Sequence, residues 1–194
     1  LLTRVDVPLY ERKGETNGKY LGRGVAHRLR YNYQLGKKVQ AGFGFEKDAC
    51  EPMTFRAGYD HWSGFALVKN MGWLQTAVVG DYRMGWGSGL LINDRFSMGK
   101  SAFSTSVATG VTGHRSASES DYLRGAAATF GGKTIKGTAF FSCRMLDGHC
   151  DNDSMTAINI SGQHRTETEI SNRHTQRQTL VGAHLQWNVC KTLE

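Results

Sequence analysis

Strict period-two alternation of side chains is the feature of this sequence that most constrains its fold. Residues 28–35 read Arg-Leu-Arg-Tyr-Asn-Tyr-Gln-Leu, so every second residue is apolar. Successive side chains of a β-strand point to opposite faces of the sheet, and the pattern therefore predicts a strand with one apolar and one polar face. Residues 39–46 and 179–190 repeat the alternation. The chain is expected to build a sheet with one apolar face.

The alternation also predicts how the first two long strands pair. A three-residue loop over 36–38 pairs Leu35 with Val39 and keeps both apolar sets on one face, whereas a two-residue turn would not. On the polar face this register sets Arg28 opposite Glu46. We expect these two side chains to form an ion pair.

Further strands can be read along the whole chain, and several are 9–11 residues long, enough to cross a bilayer when tilted. No βαβ rhythm is present, which favours antiparallel pairing. The sequence predicts one all-β domain over 1–194, an antiparallel meandering transmembrane β-barrel of about 8–10 strands, complete or a piece of a larger barrel. Besides 28–35 and 39–46, the predicted strands are 2–8, 59–68, 74–83, 122–130, 134–144, 155–162 and 179–190.

Two regions interrupt the strand pattern. Residues 85–120 are rich in Gly and Ser and too long for an ordinary connection. They predict an irregular insertion folded into or over the lumen, with a strand at 102–109 as an alternative. Residues 166–178 begin with a capping-box pattern, Thr166 followed by Glu169, and predict a short helix.

Composition excludes several classes of protein. No apolar run approaches the roughly 18 residues of a transmembrane helix, which excludes a helical membrane protein. The 16 Phe and Tyr residues and four Trp argue against disorder. The net charge of +7 is spread along the chain without a Lys/Arg block, and nucleic-acid binding is not expected. The sequence begins at Leu1 without a leader and stops in mid-pattern at Glu194, so we expect a piece of a longer protein.

The chemistry-bearing residues point to no cofactor, no metal and no enzyme. The segment 147–153 lacks the spacing of a calcium loop, and Cys143, His149 and Cys150 match no common zinc module. Cys143 and Cys150 are either a disulfide pair or free thiols. The segment 85–89 alternates Gly with other residues, which suits a bend better than a phosphate loop. His61 near Ser63 and His114 near Ser116 are spacings expected by chance in a chain with seven His.

Charged and polar residues of the predicted strands are expected to line the barrel interior. Buried charges need partners, so an ion-pair ladder bracing the interior is the structural interpretation. A polar pore lining that selects small solutes is the functional one. The predicted lumen-lining residues are Arg28, Arg30, Asn32, Glu46, Asp81 and Arg83.

Several segments resemble one known family. Residues 46–52 (EKDACEP) resemble an EKDAGEP element, 80–90 (GDYRMGWGSGL) resemble GDYRxxxGxGL, and 2–4, 20–22 and 164–166 fit the same template in the same order. Together they are similar to the outer-membrane β-barrel region of Bacteroidetes proteins that carry helix-hairpin-helix repeats, often described as competence-like. The residues that carry the resemblance are Glu46, Lys47, Asp48, Glu51, Pro52, Gly80, Asp81, Tyr82, Arg83, Gly87, Gly89, His164, Arg165 and Thr166.

The resemblance implies a barrel in the outer membrane of a Gram-negative bacterium, with outer-membrane lipid and other envelope proteins as partners. The implied function is a passive pore, a plugged channel or an anchor for a missing periplasmic domain. A role in DNA uptake is an alternative only through helix-hairpin-helix repeats absent from this chain, so the fragment itself should bind no nucleic acid. Cys50 replaces a Gly of the template and should strain the turn if that Gly has positive φ.

A soluble, lipocalin-like barrel that binds an apolar ligand is the rival interpretation. It inverts the polarity of the sheet: Tyr31 and Phe43 would point inward, while Arg28 and Arg30 would meet water. The exposure of these side chains distinguishes the two readings.

Overall fold

The computed structural model describes residues 1–53, 59–86, 110–115, 121–151, 154–159 and 161–188, and it consists mostly of antiparallel β-sheet. The strands are β1 (Leu2–Asp6), β2 (Ala26–Leu35), β3 (Val39–Lys47), β4 (His61–Met71), β5 (Leu74–Gly85), β6 (Gly110–Gly113), β7 (Leu123–Gly131), β8 (Ile135–Asp151), β9 (Ser154–Asn159) and β10 (Gln176–Trp187). Two short helices accompany them, α1 (Lys13–Thr16) and α2 (Glu167–Ser171).

The strands form an antiparallel meander, as predicted. Their order is β1-β2-β3-β4-β5-β7-β8-β10, with β6 added beside β5 and β9 beside β8. β1 and β10 are the two edges, and the sheet is not closed into a barrel. Among the described residues, no helix has the length and apolar character needed to cross a membrane.

The β2–β3 hairpin has the predicted register. Leu35 pairs with Val39 across the three-residue loop, and Gly36 adopts a φ of 56° in the turn. Arg28 lies opposite Glu46, and its Nε donates to the Glu46 carboxylate at 2.8 Å. Matching the apolar sets of the two strands was therefore sufficient to place every pair of this hairpin.

One face of the sheet is apolar and exposed, and we call it the apolar face. A single register row crosses seven strands without a polar side chain: Tyr33, Ala41, Ala66, Val79, Ala126, Phe141 and Val181. The neighbouring row is also apolar: Leu35, Val39, Val68, Ala77, Ala128, Ala139 and Ala183. Val79 is 64% exposed and Val181 is 75% exposed, so nothing described in this chain covers the face.

The opposite face carries the hydrophobic core, although the alternation predicted a polar surface there. The core unites residues of β4 to β8: Phe65, Leu67, Val78, Tyr82, Met84, Val111, Leu123, Ala127 and Phe140. Glycines make room for the largest rings, since a Cβ on Gly42 would lie 2.8 Å from the Phe65 ring and one on Gly113 would overlap it. The polar residues of β2 and β3 extend this core face towards the β1 edge.

The sheet splits between β4 and β5. Their pairing ends at Phe65 and Gly80, and beyond that point β6 takes the place of β4 beside β5. Gly80 has a φ of 100°, a conformation that favours glycine, and the backbone of Gly64 fills the place of its missing side chain. The Asp81 carboxylate accepts the Gly64 N–H at 2.8 Å and so replaces the ladder bond lost at the split.

The two predicted interruptions differ from the structure in extent. The capping box of Thr166 and Glu169 is present, but α2 ends at Ser171 and β10 begins at Gln176, so the prediction of a helix to 178 is corrected. Residues 176–178 pair with Leu146, Met145 and Arg144 of β8, and this pairing extends β10 over them despite their polarity. Within 85–120, β5 ends at Gly85 and 110–113 form β6; the suggested strand at 102–109, with Gly87 and Gly89, lies outside the described residues.

Candidate functional site at the loop end of the sheet

The two ends of the sheet differ in their connections. Hairpins β2–β3, β4–β5 and β7–β8 close with the short turns 36–38, 72–73 and 132–134 at one end, which we call the turn end. Longer connections, including 48–60 and 160–175, lie at the other end, which we call the loop end. The charged cluster described next is built from these longer connections.

His164 is the centre of a buried charged cluster at the loop end. Its Nδ1 lies 2.5 Å from Asp60 Oδ2 and its Nε2 lies 2.8 Å from Asp147 Oδ2. The side chains of His164 and Asp60 are almost fully buried. Because both ring nitrogens face carboxylates, the arrangement suits a doubly protonated imidazolium.

Glu51 and Arg173 complete this cluster. The Glu51 carboxylate accepts the backbone N–H of His164 at 2.8 Å and that of Asp48 at 2.9 Å. Arg173 Nη2 donates to the carbonyl oxygen of Asp60 at 2.6 Å and lies 3.2 Å from its carboxylate. We call His164, Asp60, Asp147, Glu51 and Arg173 the loop clasp, because they join two connections that are distant in sequence, β3–β4 and β9–β10, to strand β8.

The environment of the clasp perturbs its protonation. Burial alone would lower the pKa of His164, but its hydrogen bonds to Asp147 and Asp60 raise that pKa to about 10. Burial raises the pKa of Glu51, against the backbone hydrogen bonds that favour its charged form. The imidazolium therefore persists at neutral pH and offsets the surrounding carboxylates.

Three of the segments that carry the family resemblance meet at this clasp. The N–H of Leu21 donates to the carbonyl oxygen of Arg165 at 2.9 Å, and the N–H of Gly22 donates to that of Cys50 at 3.0 Å. A Cβ on Gly22 would overlap the backbone of Glu51. Residues 20–22, 46–52 and 164–166 thus form one packed unit.

The remaining residues of 46–52 also have definite places. Lys47 is buried, and its Nζ donates to the carbonyl oxygens of Val25 at 2.8 Å and Asp48 at 3.2 Å. Pro52 is half-buried. Thr166 caps α2 by accepting the N–H of Glu169 at 3.2 Å. These contacts order the loop backbone around the clasp.

The predicted lumen-lining residues divide between the two faces. Arg28, Arg30, Asn32 and Glu46 share the core face, in the register that sets Arg30 beside Gly44. Asp81 and Arg83 have the other parity: Asp81 pairs with Arg124 and shares the parity of Val79 on the apolar face. The assignment of all six residues to a lumen stays a prediction. The sequence pattern predicted that Asp81 and Arg83 lie on the same face of β5. The pairing of β5 with β7 is needed to assign which face that is.

Asp81 and Arg124 form an ion pair that fills the strand split. Arg124 Nε lies 2.6 Å from Asp81 Oδ1 and its Nη2 lies 3.0 Å from Oδ2, a two-point contact. Asp81 is 1% exposed. The guanidinium also lies 4.5 Å from the centre of the Trp62 ring, on the side of the sheet that carries the apolar face.

The loop clasp contains atoms of metal-binding type, although its geometry is that of a hydrogen-bonded network. Ligand-type atoms of Glu51, Asp60 and His164 lie within 4.8 Å of one another. Tetrahedral zinc with bonds of about 2.0 Å separates neighbouring ligand atoms by about 3.3 Å, whereas His164 Nδ1 and Asp60 Oδ2 are 2.5 Å apart. The cluster thus serves more readily to join loops than to hold an ion.

His61 and His114 both contact the Tyr122 ring, with centroid separations of 5.9 Å and 4.8 Å. Ser116 lies outside the described residues. Cys143 is a free thiol, His149 is exposed, and the side chain of Cys150 is outside the described set.

No protein-family model, curated protein or solved structure gives a significant match to the chain.

Proposed function

We propose that this chain is a membrane-embedded sheet of an outer-membrane β-barrel protein in a Gram-negative bacterium, acting as a plugged channel or as an anchor. Lipid would contact the apolar face, and the core face would line the interior. The observation that carries the proposal is the exposed pair of register rows in which all fourteen residues are apolar. A sheet face that is exposed to water normally carries polar side chains, whereas a face that contacts lipid needs an uninterrupted apolar band.

Aromatic residues at both ends of the apolar face support the proposal. Trp73, Phe130 and Trp187 lie at the turn end, and the Trp73 and Phe130 rings stack at 5.1 Å. Phe45 and Trp62 lie opposite each other towards the loop end. Outer-membrane barrels carry such aromatic girdles at the two membrane interfaces. Between the girdles the side chains are mainly Ala, Val and Leu.

The height of the band also fits a bilayer. Ile135 and Met145 both lie on the apolar face and are ten residues apart on β8, which is about 33 Å at about 3.3 Å per residue. A strand tilt of about 40° reduces this to about 25 Å, the height of the apolar band on known barrels.

The packed core face favours a plugged channel or an anchor over an open pore. Phe65, Tyr82 and Phe140 are each less than a tenth exposed, and β6 packs its Val111 into the same cluster. The polar residues Arg28 and Glu46 are paired with each other and brace the face. A solute path through this part of the interior would have to displace a close-packed apolar cluster.

Substitution at the centre of the apolar face tests the proposal. Val79→Arg places a charge at mid-height, and Ile135→Arg places the same charge on the same face at the turn end, where Ile135 is 52% exposed. In lipid, arginine costs about 2–4 kcal/mol at mid-bilayer and about 0–1 kcal/mol near an interface. We expect Val79→Arg to prevent folding into lipid vesicles and Ile135→Arg to permit it, as measured by urea titration of the vesicle-folded protein.

The same pair of variants can contradict the proposal. In water, both positions are exposed and arginine should change stability by no more than about 0.5 kcal/mol. A wild-type chain that is monomeric without detergent, with Val79→Arg as stable as Ile135→Arg, would show that the apolar face does not meet lipid.

A further inference from the structure

The core face continues beyond its packed cluster as a polar region towards the β1 edge. The packed cluster ends at β4, and the next two strands, β3 and β2, carry polar residues or glycine on this face. We call this region the polar strip, and it consists of Arg28, Arg30, Asn32 and Gln34 on β2 and of Gln40, Gly42, Gly44 and Glu46 on β3. Under the proposed function the polar strip faces the interior of the barrel.

Positive charge predominates on and around the polar strip. Five basic and two acidic side chains lie on its side of the core face, namely Arg4, Arg28, Arg30, Lys69 and Arg115 against Asp6 and Glu46. The adjoining loop end adds three basic groups and four acidic ones, namely Lys47, His164 and Arg173 against Asp48, Glu51, Asp60 and Asp147. An excess of two positive charges remains after both sets are counted.

Arg30 is the first of two arginines without a carboxylate of their own. Arg4 is paired with Asp6 at 2.9 Å, and Arg28 Nε donates to the Glu46 carboxylate at 2.8 Å. Burial raises the pKa of Glu46, and Arg28 opposes this shift more strongly than Arg30 does, so Glu46 belongs chiefly to Arg28. Arg30 is half-buried, and within the described part of the chain its guanidinium donates no hydrogen bond.

Arg115 is the second, and it reaches the polar strip from the opposite side, just after β6. Its Nη2 donates to Gln40 Oε1 at 2.8 Å, and its guanidinium carbon lies 6.0 Å from the centre of the Phe65 ring. The side chain is exposed, and no carboxylate of the described residues lies within ion-pair distance of it. A guanidinium has five N–H groups, so most of those of Arg115 remain free to bind a ligand.

The floor between the two guanidiniums is uncharged. Arg30 lies opposite Gly44, and the hydroxyl of Ser63 borders this glycine, 3.3 Å from the place of a Cβ. The Phe65 ring lies over Gly42, 2.8 Å from the place of its Cβ. A ligand that reached from one arginine to the other would therefore pass a hydroxyl group and an aromatic ring and meet no further charge.

The spacing of the two arginines sets the length of such a ligand. Arg30 lies opposite Gly44 and Arg115 contacts Gln40, positions four residues apart on β3, which is about 13 Å at about 3.3 Å per residue. A compact anion is shorter than this span, whereas an aliphatic chain with an acidic group at each end can approach its length. A guanidinium binds a carboxylate through two parallel N–H groups, which suits Arg to each end of the chain.

We propose that the polar strip binds an elongated organic dicarboxylate, with one carboxylate at Arg30 and the other at Arg115. Two carboxylates match the excess of two positive charges, whereas two phosphate monoesters would each bring about −1.5 to −2 and exceed it. As a binding site the strip depends on the core face alone. As the solute held in a plugged channel, the dicarboxylate rests on the proposed function.

Calorimetric titration of the full chain, folded in a zwitterionic detergent, tests this site. The probes are adipate, with two carboxylates on one chain, acetate, with a single carboxylate, and inorganic phosphate, a compact anion of higher charge. Chloride at equal ionic strength is the reference. The variants are Arg30→Gln and Arg115→Gln, and the matched control is Lys37→Gln, which removes an exposed positive charge at the turn end.

The wild type should bind adipate about tenfold more tightly than acetate, because the second carboxylate binds as part of the same molecule. Each arginine variant should lose about tenfold in adipate affinity and bind adipate no better than acetate, while Lys37→Gln binds both as the wild type does. Arg115→Lys should recover part of the affinity, since it restores the charge without the two-point geometry. Urea titration of each variant checks that it folds as the wild type does.

Three results would overturn the site. One is a wild type that binds adipate no better than acetate or inorganic phosphate. Another is a preference for adipate that survives in Arg30→Gln or in Arg115→Gln. The third is an equal loss of adipate binding in Lys37→Gln, which would reduce the effect to general charge. None of these results bears on the Val79→Arg experiment, so the failure of this site and the failure of the proposed membrane role remain distinguishable.

Discussion

Cys50 occupies a backbone conformation that suits glycine. Its φ is 73°, and its side chain is fully buried beside Arg12, with Sγ 4.0 Å from Nη1. The left-handed conformation costs a residue with a Cβ about 1–2 kcal/mol. The EKDAGEP element that residues 46–52 resemble has Gly at this position, which led us to expect backbone strain at Cys50. The positive φ agrees with that expectation of strain.

Two substitutions at Cys50 separate backbone strain from side-chain packing. Cys50→Ala removes Sγ but keeps the strained Cβ, whereas Cys50→Gly removes both. We expect the Gly variant to be more stable than the Ala variant by about 1 kcal/mol, measured as the free energy of unfolding in urea. Equal stability of the two variants would mean that the turn imposes no strain.

His164 should make stability depend on pH. Its pKa is raised from 6.5 to about 10 in the folded protein, so the stabilisation is fully present below pH 6.5 and disappears as the pH rises through 10. We expect wild type to exceed His164→Gln in unfolding free energy by a few kcal/mol at pH 6.5, and the difference to shrink progressively towards pH 10.

The control for this pH dependence is His149→Gln, which changes an exposed histidine. His149 lies outside the loop clasp, so the loss of unfolding free energy between pH 6.5 and pH 10 should persist in this variant. A His164→Gln variant whose deficit stays constant from pH 6.5 to 10 would show that the ring acts through packing and that no imidazolium is held between Asp60 and Asp147.

At the scale of the elements, the strand split depends on Gly80. A Cβ there would overlap the Gly64 backbone, and the φ of 100° is unfavourable for any other residue. Gly80→Ala should lower the unfolding free energy by about 2–4 kcal/mol. Gly137→Ala is the matched control, because nothing lies within 4 Å of the place of its Cβ. Similar unfolding free energies for the two variants would contradict the close approach of β4 and β5.

Local pattern was sufficient for some elements and insufficient for others. The β2–β3 register followed from parity, since both strands alternate cleanly and a one-residue slip would expose the wrong set. The capping box located the start of α2. The split at Gly80 could not be inferred from the sequence, because there β6 replaces β4 as the neighbour of β5. Which of two strands distant in sequence pairs with β5 is not encoded in any local pattern. The end of α2 was misplaced for a related reason: pairing with β8 draws residues from 176 onward into β10.

The loop clasp illustrates the same limit at the scale of the whole molecule. Glu51 and His164 are separated by 113 positions and Asp60 and His164 by 104. No spacing rule connects such residues, and Asp60 and Asp147 were absent from the predicted site. Glu51 and His164 were both among the residues that carry the family resemblance, and this was the sequence signal that pointed to the clasp. The strand meander brings them together by returning β3, β4 and β8 to the same end.

The two ends of the sheet should lie on opposite sides of a bilayer if the apolar face meets lipid. Lys37→Cys marks the turn end and Glu167→Cys marks the loop end, and both positions are exposed. Each cysteine is introduced into a chain that lacks the native cysteines, and the protein is folded into sealed vesicles. A membrane-impermeant maleimide should label one of the two thiols, and it should label the other only after detergent is added. Short turns on one side and long connections on the other are the usual arrangement of outer-membrane barrels. Labelling of both thiols in intact vesicles, in uniformly oriented protein, would place both ends in the same compartment and contradict a sheet that crosses the membrane.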